Sequence, residues 1–200
     1  ENTDPYDVVI VGDDAALQFA MEYREELFPE IPVVFEGVND EEYAMKAAEN
    51  PLVTGIIEKL SVEKNIDMAL KVNPTADKVV AILDDSVTAD AERKNFYNSA
   101  ENYPELEFSE INAAELETAR LQQAISKVDD KTILIYIVMS KDGSGKQYTS
   151  DQALCMIVDY AKVPVYRMVE AGIGDGLLGG NVVSMYKSGE IAAQMAMDIA

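Results

Sequence analysis

Short apolar runs rich in β-branched residues alternate with longer segments of helical periodicity along the whole chain. Most of these runs are nearly continuous Val, Ile and Leu, which is typical of strands buried on both faces of a parallel sheet. The predicted strands are Asp7–Val11, Pro32–Phe35, Val53–Ile56, Lys78–Leu83, Leu106–Glu110, Thr132–Val138 and Val163–Tyr166, with a short one near Asn181–Ser184. The alternation predicts an α/β fold with mostly parallel sheet and right-handed crossovers.

The segments between the strands carry apolar residues at helical spacing, which indicates the faces expected to point inward. In the segment 15–27 the expected inward stripe is Ala16, Phe19, Ala20, Tyr23 and Leu27. In the segment 113–128 it is Leu116, Ala119, Leu121, Ala124 and Ile125. The Ala- and Met-rich segment Ile191–Ile199 is expected to be buried.

A candidate boundary lies at Pro74, which ends the helical segment before it and biases Asn73 toward an extended conformation. A new strand begins at Lys78. The stretch between fits two interpretations equally, a simple loop from helix to strand or a crossing between two lobes.

Charge restricts the classes of partner. The chain has 16 basic and 37 acidic residues, a net charge of −21. Nucleic-acid binding needs a Lys/Arg footprint, so no nucleic-acid partner is expected, and docking on an anionic membrane surface is disfavoured. No apolar run approaches the ~20 residues that span a membrane. A start without Met and an end inside a helical pattern lead us to expect a piece cut from a longer protein.

Catalytic motifs are scarce. The chain has no histidine, which excludes Ser-His-Asp and Cys-His catalysis. The single cysteine, Cys155, lies in an apolar helical run where a buried free thiol is expected. Without His or an EF-hand spacing, the carboxylates predict no metal site. Hydrolysis by paired carboxylates is left open, although the sequence singles out no pair.

Two glycine-containing segments resemble nucleotide-binding motifs only in part. The segment 174–179 satisfies G-x-G-x-x-G, but the sequence after it favours strand or loop where a dinucleotide site needs a helix. The segment 141–147 has Ser140 where a phosphate loop needs glycine, and Gln147 where it needs Ser or Thr. We therefore predict no cofactor, a flexible turn over 141–147, and a loop over 174–179 that approaches a ligand or another lobe closely.

Acidic pairs follow two of the predicted strands, Asp13-Asp14 after the first and Asp84-Asp85 after the fourth. Ligands of open α/β sheets bind beyond the carboxyl ends of the strands, so both pairs occupy candidate site positions. Helix capping is the alternative, with Asp14 before the segment 15–27 and Asp85-Ser86 before a helix near 89–100. The two roles are compatible in one residue.

Three stretches together resemble a known family. They are the strand Tyr6–Val11 with Gly12-Asp13-Asp14 and the helix leading to Phe28-Pro29, then Ile31–Asp40, then Val53–Ile56. This set is similar to the substrate-binding components of ABC transporters with aromatic-amino-acid-type ligands. It is more similar still to the version used as an extracellular sensor region ahead of histidine kinase or diguanylate cyclase modules. Val163–Tyr166, the glycine loop and 179–193 fit the second lobe of the same family.

The resemblance implies a two-lobed, periplasmic-binding-protein-like fold in which each lobe is a mostly parallel sheet flanked by helices. Lobe one would comprise residues 1–74, lobe two 75–182, and a helix in 183–200 would return to lobe one. The family's opening β-α-β before Tyr6 and its final crossing after Ala200 are missing from this sequence, which would leave lobe one incomplete.

The resemblance also implies a ligand in the cleft between the lobes. Carried over by position, the ligand-binding residues are Asp13, Asp14, Gly37, Asn39, Asp85, Ser86, Met139, Glu170, Gly172 and Gly174. Asp13 and Asp85 are acidic where transporter relatives often have small or amide residues. That departure weakens the expectation of an amino-acid carboxylate ligand and leaves room for a cationic or hydroxylated one.

The function expected from the resemblance is extracytoplasmic binding and sensing of a small molecule. The domain would belong to a membrane-anchored kinase or cyclase, with hinge closure as the signal and without catalysis in this region. Its membrane contact would come only through segments outside the sequence, and a homodimer is left open. The alternatives are the substrate-binding component of an ABC transporter and an enzyme that uses the cleft carboxylates.

Overall fold

A computed structural model describes residues 6–200 of the protein. In chain order the elements are β1 Val9–Gly12, α1 Asp14–Glu22, α2 Arg24–Leu27, β2 Val33–Val38, α3 Glu41–Ala47, β3 Val53–Ile57, α4 Val62–Val72, β4 Lys78–Leu83, α5 Val87–Ser99, β5 Glu107–Asn112, α6 Thr118–Ser126, β6 Thr132–Tyr136, α7 Ser150–Tyr160, β7 Val165–Arg167 and α8 Met185–Ile199. Short 3-10 helices occupy Ala100–Asn102 and Ala113–Glu115. The α/β fold expected from the sequence is confirmed.

One compact unit contains residues 6–59 and 184–200. Its sheet has the order β1-β2-β3, with every neighbouring pair parallel. Helix α1 contacts β1 and β2, α3 contacts β3, and α8 contacts all three strands. The core consists of Leu17, Val33, Phe35, Val38, Ala44 and Val53.

The second compact unit contains residues 60–183. Its four strands are parallel in the order β5-β4-β6-β7. Because side chains alternate along a strand, Ile133 and Ile135 of β6 pack with α4 and α5, while Leu134 and Tyr136 pack with α6 and α7. Both faces of this sheet are therefore covered, as the continuous apolar runs predict.

Helix α4 belongs to the second unit because Ile66 and Ala69 lie in the core beside Val79 of β4. The family resemblance instead implies that this helix, which precedes Pro74, belongs to lobe one. The division into lobes at 1–74, 75–182 and 183–200 stays a prediction about the bodies that move, and its first five residues lie outside those described.

The expected inward stripe of the segment 15–27 is right at Ala20, which is buried, and wrong at its larger side chains. Phe19 and Leu27 are 52% and 44% exposed, whereas Leu17 and Arg24 are buried. The segment also breaks into α1 and α2 at Tyr23. The periodicity missed this face because the Arg24 guanidinium lies inward and donates to the carbonyl of Ile31.

Four smaller expectations are also corrected. The segment 181–184 forms a single bridge, Val169 with Val183, and no strand. The segment 113–128 divides into a 3-10 helix and α6. Helix α8 is longer than expected and buries only Ser188 and Ala192. Cys155 is exposed, because α7 turns it away from the core that holds Ala153 and Ile157.

Candidate functional site

Two acidic residues connect the carboxyl ends of β1 and β2. Asp13 has a φ of 79°, the only positive φ at a non-glycine position in the described chain, and its carboxylate accepts from the N–H of Asp14. Asp14 is buried, and its Oδ1 accepts from the backbone N–H groups of Asn39 at 3.0 Å and Asp40 at 2.9 Å. The helix cap is therefore Asp13, whereas Asp14 orders the loop that follows β2.

Gly37 and Asn39 lie in that same region. Gly37 has a φ of 63°, which favours glycine, and a Cβ placed on it would lie 3.7 Å from the backbone nitrogen of Asp13. The Asn39 amide donates to the carbonyl and to Oε1 of Glu58, the residue that follows β3. The structure thus brings together the four candidate residues of the first unit.

Glu58 was not among the candidates of the sequence analysis. It is 9% exposed, and its Oε2 is buried without a hydrogen-bond partner. Burial raises the pKa of Glu58, the bond from Asn39 opposes this, and the carboxylates of Asp13, Glu36 and Asp14 raise the pKa further. This end of the sheet is therefore strongly acidic.

At the second sheet, Asp84 connects the carboxyl ends of β4 and β6. Its Oδ1 accepts from the N–H of Ser86 at 3.0 Å, and its Oδ2 accepts from the N–H and hydroxyl of Ser140 at 2.7 and 2.6 Å. Burial would raise the pKa of Asp84, but the bonds from Ser140 and Ser86 outweigh it and lower the pKa. Ser86 also caps α5 by accepting from the N–H of Ala89, as the capping interpretation predicts.

The other two candidates at this end differ in exposure. Asp85 forms an exposed ion pair with Lys141 at 3.0 Å. Met139 is 3% exposed, and its side chain lies in the core beside α6 and α7. Met139 can therefore present only its backbone beyond the strand end, whereas Asp85 can present its carboxylate.

The remaining candidates lie in the loop after β7. Glu170 is exposed, and its backbone N–H donates to the carbonyl oxygen of Val183 at 3.0 Å. Gly172 has a φ of 88°, and a Cβ there would lie 2.2 Å from Leu154 Cδ1 of α7. Gly174 has a φ of 94° and open space around it. Gly172 thus allows the loop to pack on α7, while Gly174 leaves backbone accessible.

The turn at 141–147, expected to be flexible, is held by hydrogen bonds to the Asp142 carboxylate. Asp142 is buried and accepts from the N–H groups of Ser144 and Lys146 and from the hydroxyls of Thr118, Ser144 and Tyr148. Burial would raise the pKa of Asp142, but these hydrogen bonds outweigh it and hold the pKa far below its usual value. Backbone donors that a phosphate would require are already used by a carboxylate.

Arg167, at the end of β7, is a second residue that the sequence analysis missed. Its guanidinium lies 4.0 Å from the centre of the Tyr136 ring and donates to the carbonyls of Tyr136 and Ile137 at the end of β6. Arg167 thus places positive charge at the carboxyl edge of the second sheet.

Other site types find no support among residues 6–200. No group of three or more acidic or thiol side chains there is arranged to hold a metal ion. Of the helices in that part of the chain, none combines the length and apolar character that crossing a membrane requires. A shallow pocket extends from Lys78, Asp129 and Thr132 along β5 to Ile111, and none of the candidate residues lines it.

Comparisons with known proteins agree with this architecture. Residues 2–200 match a family described as ABC transporter substrate binding protein. A similar solved structure is an ABC domain in complex with L-Trp from Streptococcus pneumonia, at 15% sequence identity and a TM-score of 0.66. The match covers 98% of this chain and 67% of that one. None of the curated proteins matches the chain.

Proposed function

The chain belongs to the family of ABC transporter substrate-binding proteins, and we propose that it captures a small molecule without changing it chemically. One observation carries the proposal. At the carboxyl ends of both parallel sheets, buried carboxylates order the loops through which ligands of open α/β sheets are held. Asp14 does this in the first unit, and Asp84 does it in the second.

The ligand would lie between the two lobes and contact loops of both. In the first unit the contacts would come from Asp13, Gly37 and Asn39, and in the second from Asp85, Ser86, the backbone of Met139 and the segment 170–174. A ligand that binds the closed form more tightly than the open form shifts the population toward closure. The strained backbone of Asp13 supports a binding role, since such strain concentrates at functional sites.

The biological setting we propose is extracytoplasmic, as the sensing region of a membrane-anchored histidine kinase or diguanylate cyclase. The sequence resemblance to sensor regions supports this setting. The family description favours a second candidate, the substrate-binding component of an ABC transporter. Deleting the gene separates them: loss of ligand uptake supports the transporter component, and loss of a ligand-dependent response with unchanged uptake supports the sensor.

A thermal-shift screen of small solutes tests the binding function, with L-Trp included because the structural relative binds it. A binder present at about 100 times its Kd stabilises the folded state by about 2.7 kcal/mol, which is a readily measured shift. Recovery of the unmodified solute supports binding. Conversion of the solute to product supports the enzyme alternative and contradicts the proposal.

A further inference from the structure

Strand β5 is an edge strand of the second sheet, with β4 on one side and no strand of the described chain on the other. The N–H of Glu107 donates to the carbonyl of Asp77, the residue before β4. Because this direction alternates from one residue to the next, the N–H and C=O groups of Phe108 and Glu110 point away from β4. No hydrogen bond within residues 6–200 uses these outward groups, so the strand presents free donors and acceptors along its edge.

A pocket lies beside this free edge, on the face of the sheet that α6 covers. It is lined by residues 109–111 of β5 and by apolar side chains of β4, α6 and the turn after α6, namely Val80, Ala124 and Val128. Its volume of about 250 Å³ is below the roughly 300–1,000 Å³ of sites that enclose a whole small molecule. The pocket therefore suits a single apolar side chain better than a free solute.

The surroundings of the edge are acidic. Every charged residue between Lys94 and Arg120 is acidic, and these residues are Glu101, Glu105, Glu107, Glu110, Glu115 and Glu117. The carboxylate of Glu110 pairs with Arg93, but the same guanidinium also pairs with Asp90. The edge consequently keeps a net negative charge.

This charge distinguishes between the strands that could pair with the edge. A second copy of β5 would bring Glu107 and Glu110 against the same glutamates, and like charges on paired strands are destabilising. A strand that carries lysine or arginine would meet opposite charge instead. The pocket itself favours an apolar side chain over a cationic one, because Lys78 and Lys127 line its other end and the nearby Asp129 already pairs with Lys78.

We propose that β5 binds an extended basic segment of another protein, which adds to the sheet as a further strand and places an apolar side chain in the pocket. Main-chain hydrogen bonds to Phe108 and Glu110 supply affinity, and the pocket and the acidic surroundings supply specificity. Alternating basic and apolar residues fit this role, since successive side chains of a strand point to opposite faces. The surface lies within the second unit, and its function is independent of small-molecule capture.

The test is isothermal titration of the intact chain with a short peptide of alternating Lys and Val that is blocked at both ends. The same peptide with Glu in place of Lys is the charge control. Glu110→Pro removes the outward N–H and leaves the ladder with β4 intact, and proline is tolerated on edge strands at such positions. Glu110→Ala is the matched control, since it removes the same carboxylate and keeps the N–H. Urea unfolding checks that both variants are folded.

The inference predicts that the Lys peptide binds the wild type, and binds Glu110→Pro at least about tenfold more weakly than Glu110→Ala. The Glu peptide should not bind. Equal affinity of the Lys peptide for the two folded variants, equal binding of the Lys and Glu peptides, or no binding to the wild type overturns the inference.

A second measurement needs no variant and decides the matter if Glu110→Pro does not fold. Backbone amide chemical shifts of the labelled wild type should change at 107–112 and 124–128 during the same titration, and changes confined to other segments overturn the inference. Sedimentation of the chain alone tests the other occupant. Self-association through the same edge, seen as amide shifts at 107–112 that depend on protein concentration, would assign the edge to a second copy and overturn the inference.

Discussion

The Asp84 carboxylate engages both donors of Ser140, its backbone N–H at 2.7 Å and its hydroxyl at 2.6 Å. Both residues lie just beyond the ends of their strands, Asp84 after β4 and Ser140 after β6. The contact fixes two neighbouring loops that carry candidate ligand-binding residues. Ordered loops lose less entropy on binding, so this contact is expected to matter for affinity as well as stability.

Replacing Asp84 with Asn tests this contact. The amide keeps the size of the side chain, but its NH2 group faces donors that need an acceptor. We expect the free energy of unfolding to fall by about 1–3 kcal/mol in urea titrations. Asp85→Asn is the neighbouring control and should cost no more than about 1 kcal/mol, since it breaks only an exposed ion pair. Equal losses in the two variants would contradict the role of Asp84.

The lowered pKa of Asp142 predicts that the free energy of unfolding depends on pH. Because hydrogen bonds lower its pKa in the folded state, its stabilising effect is complete above the usual pKa of 3.8 and is lost as pH falls through the lower value. We expect Asp142→Asn to lose about 1–3 kcal/mol of unfolding free energy at pH 7 and less as pH approaches 3. Urea unfolding from pH 3 to 7 measures the gap, with exposed Asp151→Asn as the control. A gap independent of pH would argue against this account.

The raised pKa of Glu58 predicts the opposite pH dependence of the free energy of unfolding. Its pKa is raised in the folded state, so its favourable contribution is present below the usual value of 4.5 and is lost as pH rises through the raised value. The Glu58→Gln variant lacks this titration. Between pH 4.5 and 7.5 its stability should therefore rise relative to wild type, by at most about 1.4 kcal/mol per pH unit. Urea unfolding at several pH values checks this. The stability of the control variant Glu49→Gln, which changes an exposed carboxylate of the same unit, should follow that of the wild type at every pH.

Alanine substitutions at two glycines of the loop after β7 distinguish the cost of steric overlap from the cost of an unfavourable φ. Gly172→Ala introduces a Cβ 2.2 Å from Leu154 Cδ1 and 2.9 Å from Leu177 Cδ1 at a positive φ. Gly174→Ala meets the same unfavourable φ in open space, so it should cost only about 1–2 kcal/mol. The Gly172 variant should be the less stable in thermal unfolding, and Leu154→Ala should recover part of its loss. Equal melting temperatures would show that the loop does not pack on α7 as described.

The sequence predicted β4 and β6 of the second sheet well because these two strands are almost entirely apolar. Strand β4 has the predicted bounds, Lys78–Leu83. The inward stripe predicted for the segment 15–27 fails at Phe19 of α1, which is exposed, and it missed Arg24 of α2, which is buried. Periodicity reports hydrophobicity, and here a hydrogen-bonded guanidinium occupies an inward position.

The sequence indicated some residues of the candidate site and not others. Asp13 and Asp14 stand out because they follow a strand directly, and Asp84 was noticed as one of a pair. Its partner Ser140 lies 56 residues further along, so only the parallel pairing of β4 with β6 brings them together. Glu58 gave a weaker signal, an acidic residue directly after a strand, and its importance depends on burial that spacing does not reveal.

The central claim is that one small molecule is held at the carboxyl ends of both sheets. Backbone amide chemical shifts of the isotope-labelled chain, recorded during titration with a solute that stabilises it, test this most directly. The account predicts coordinated shifts at 13–14 and 37–39 and at 84–86 and 139–140, with the solute recovered unchanged. Shifts confined to one sheet, or to the pocket that Lys78 and Asp129 line, would contradict it.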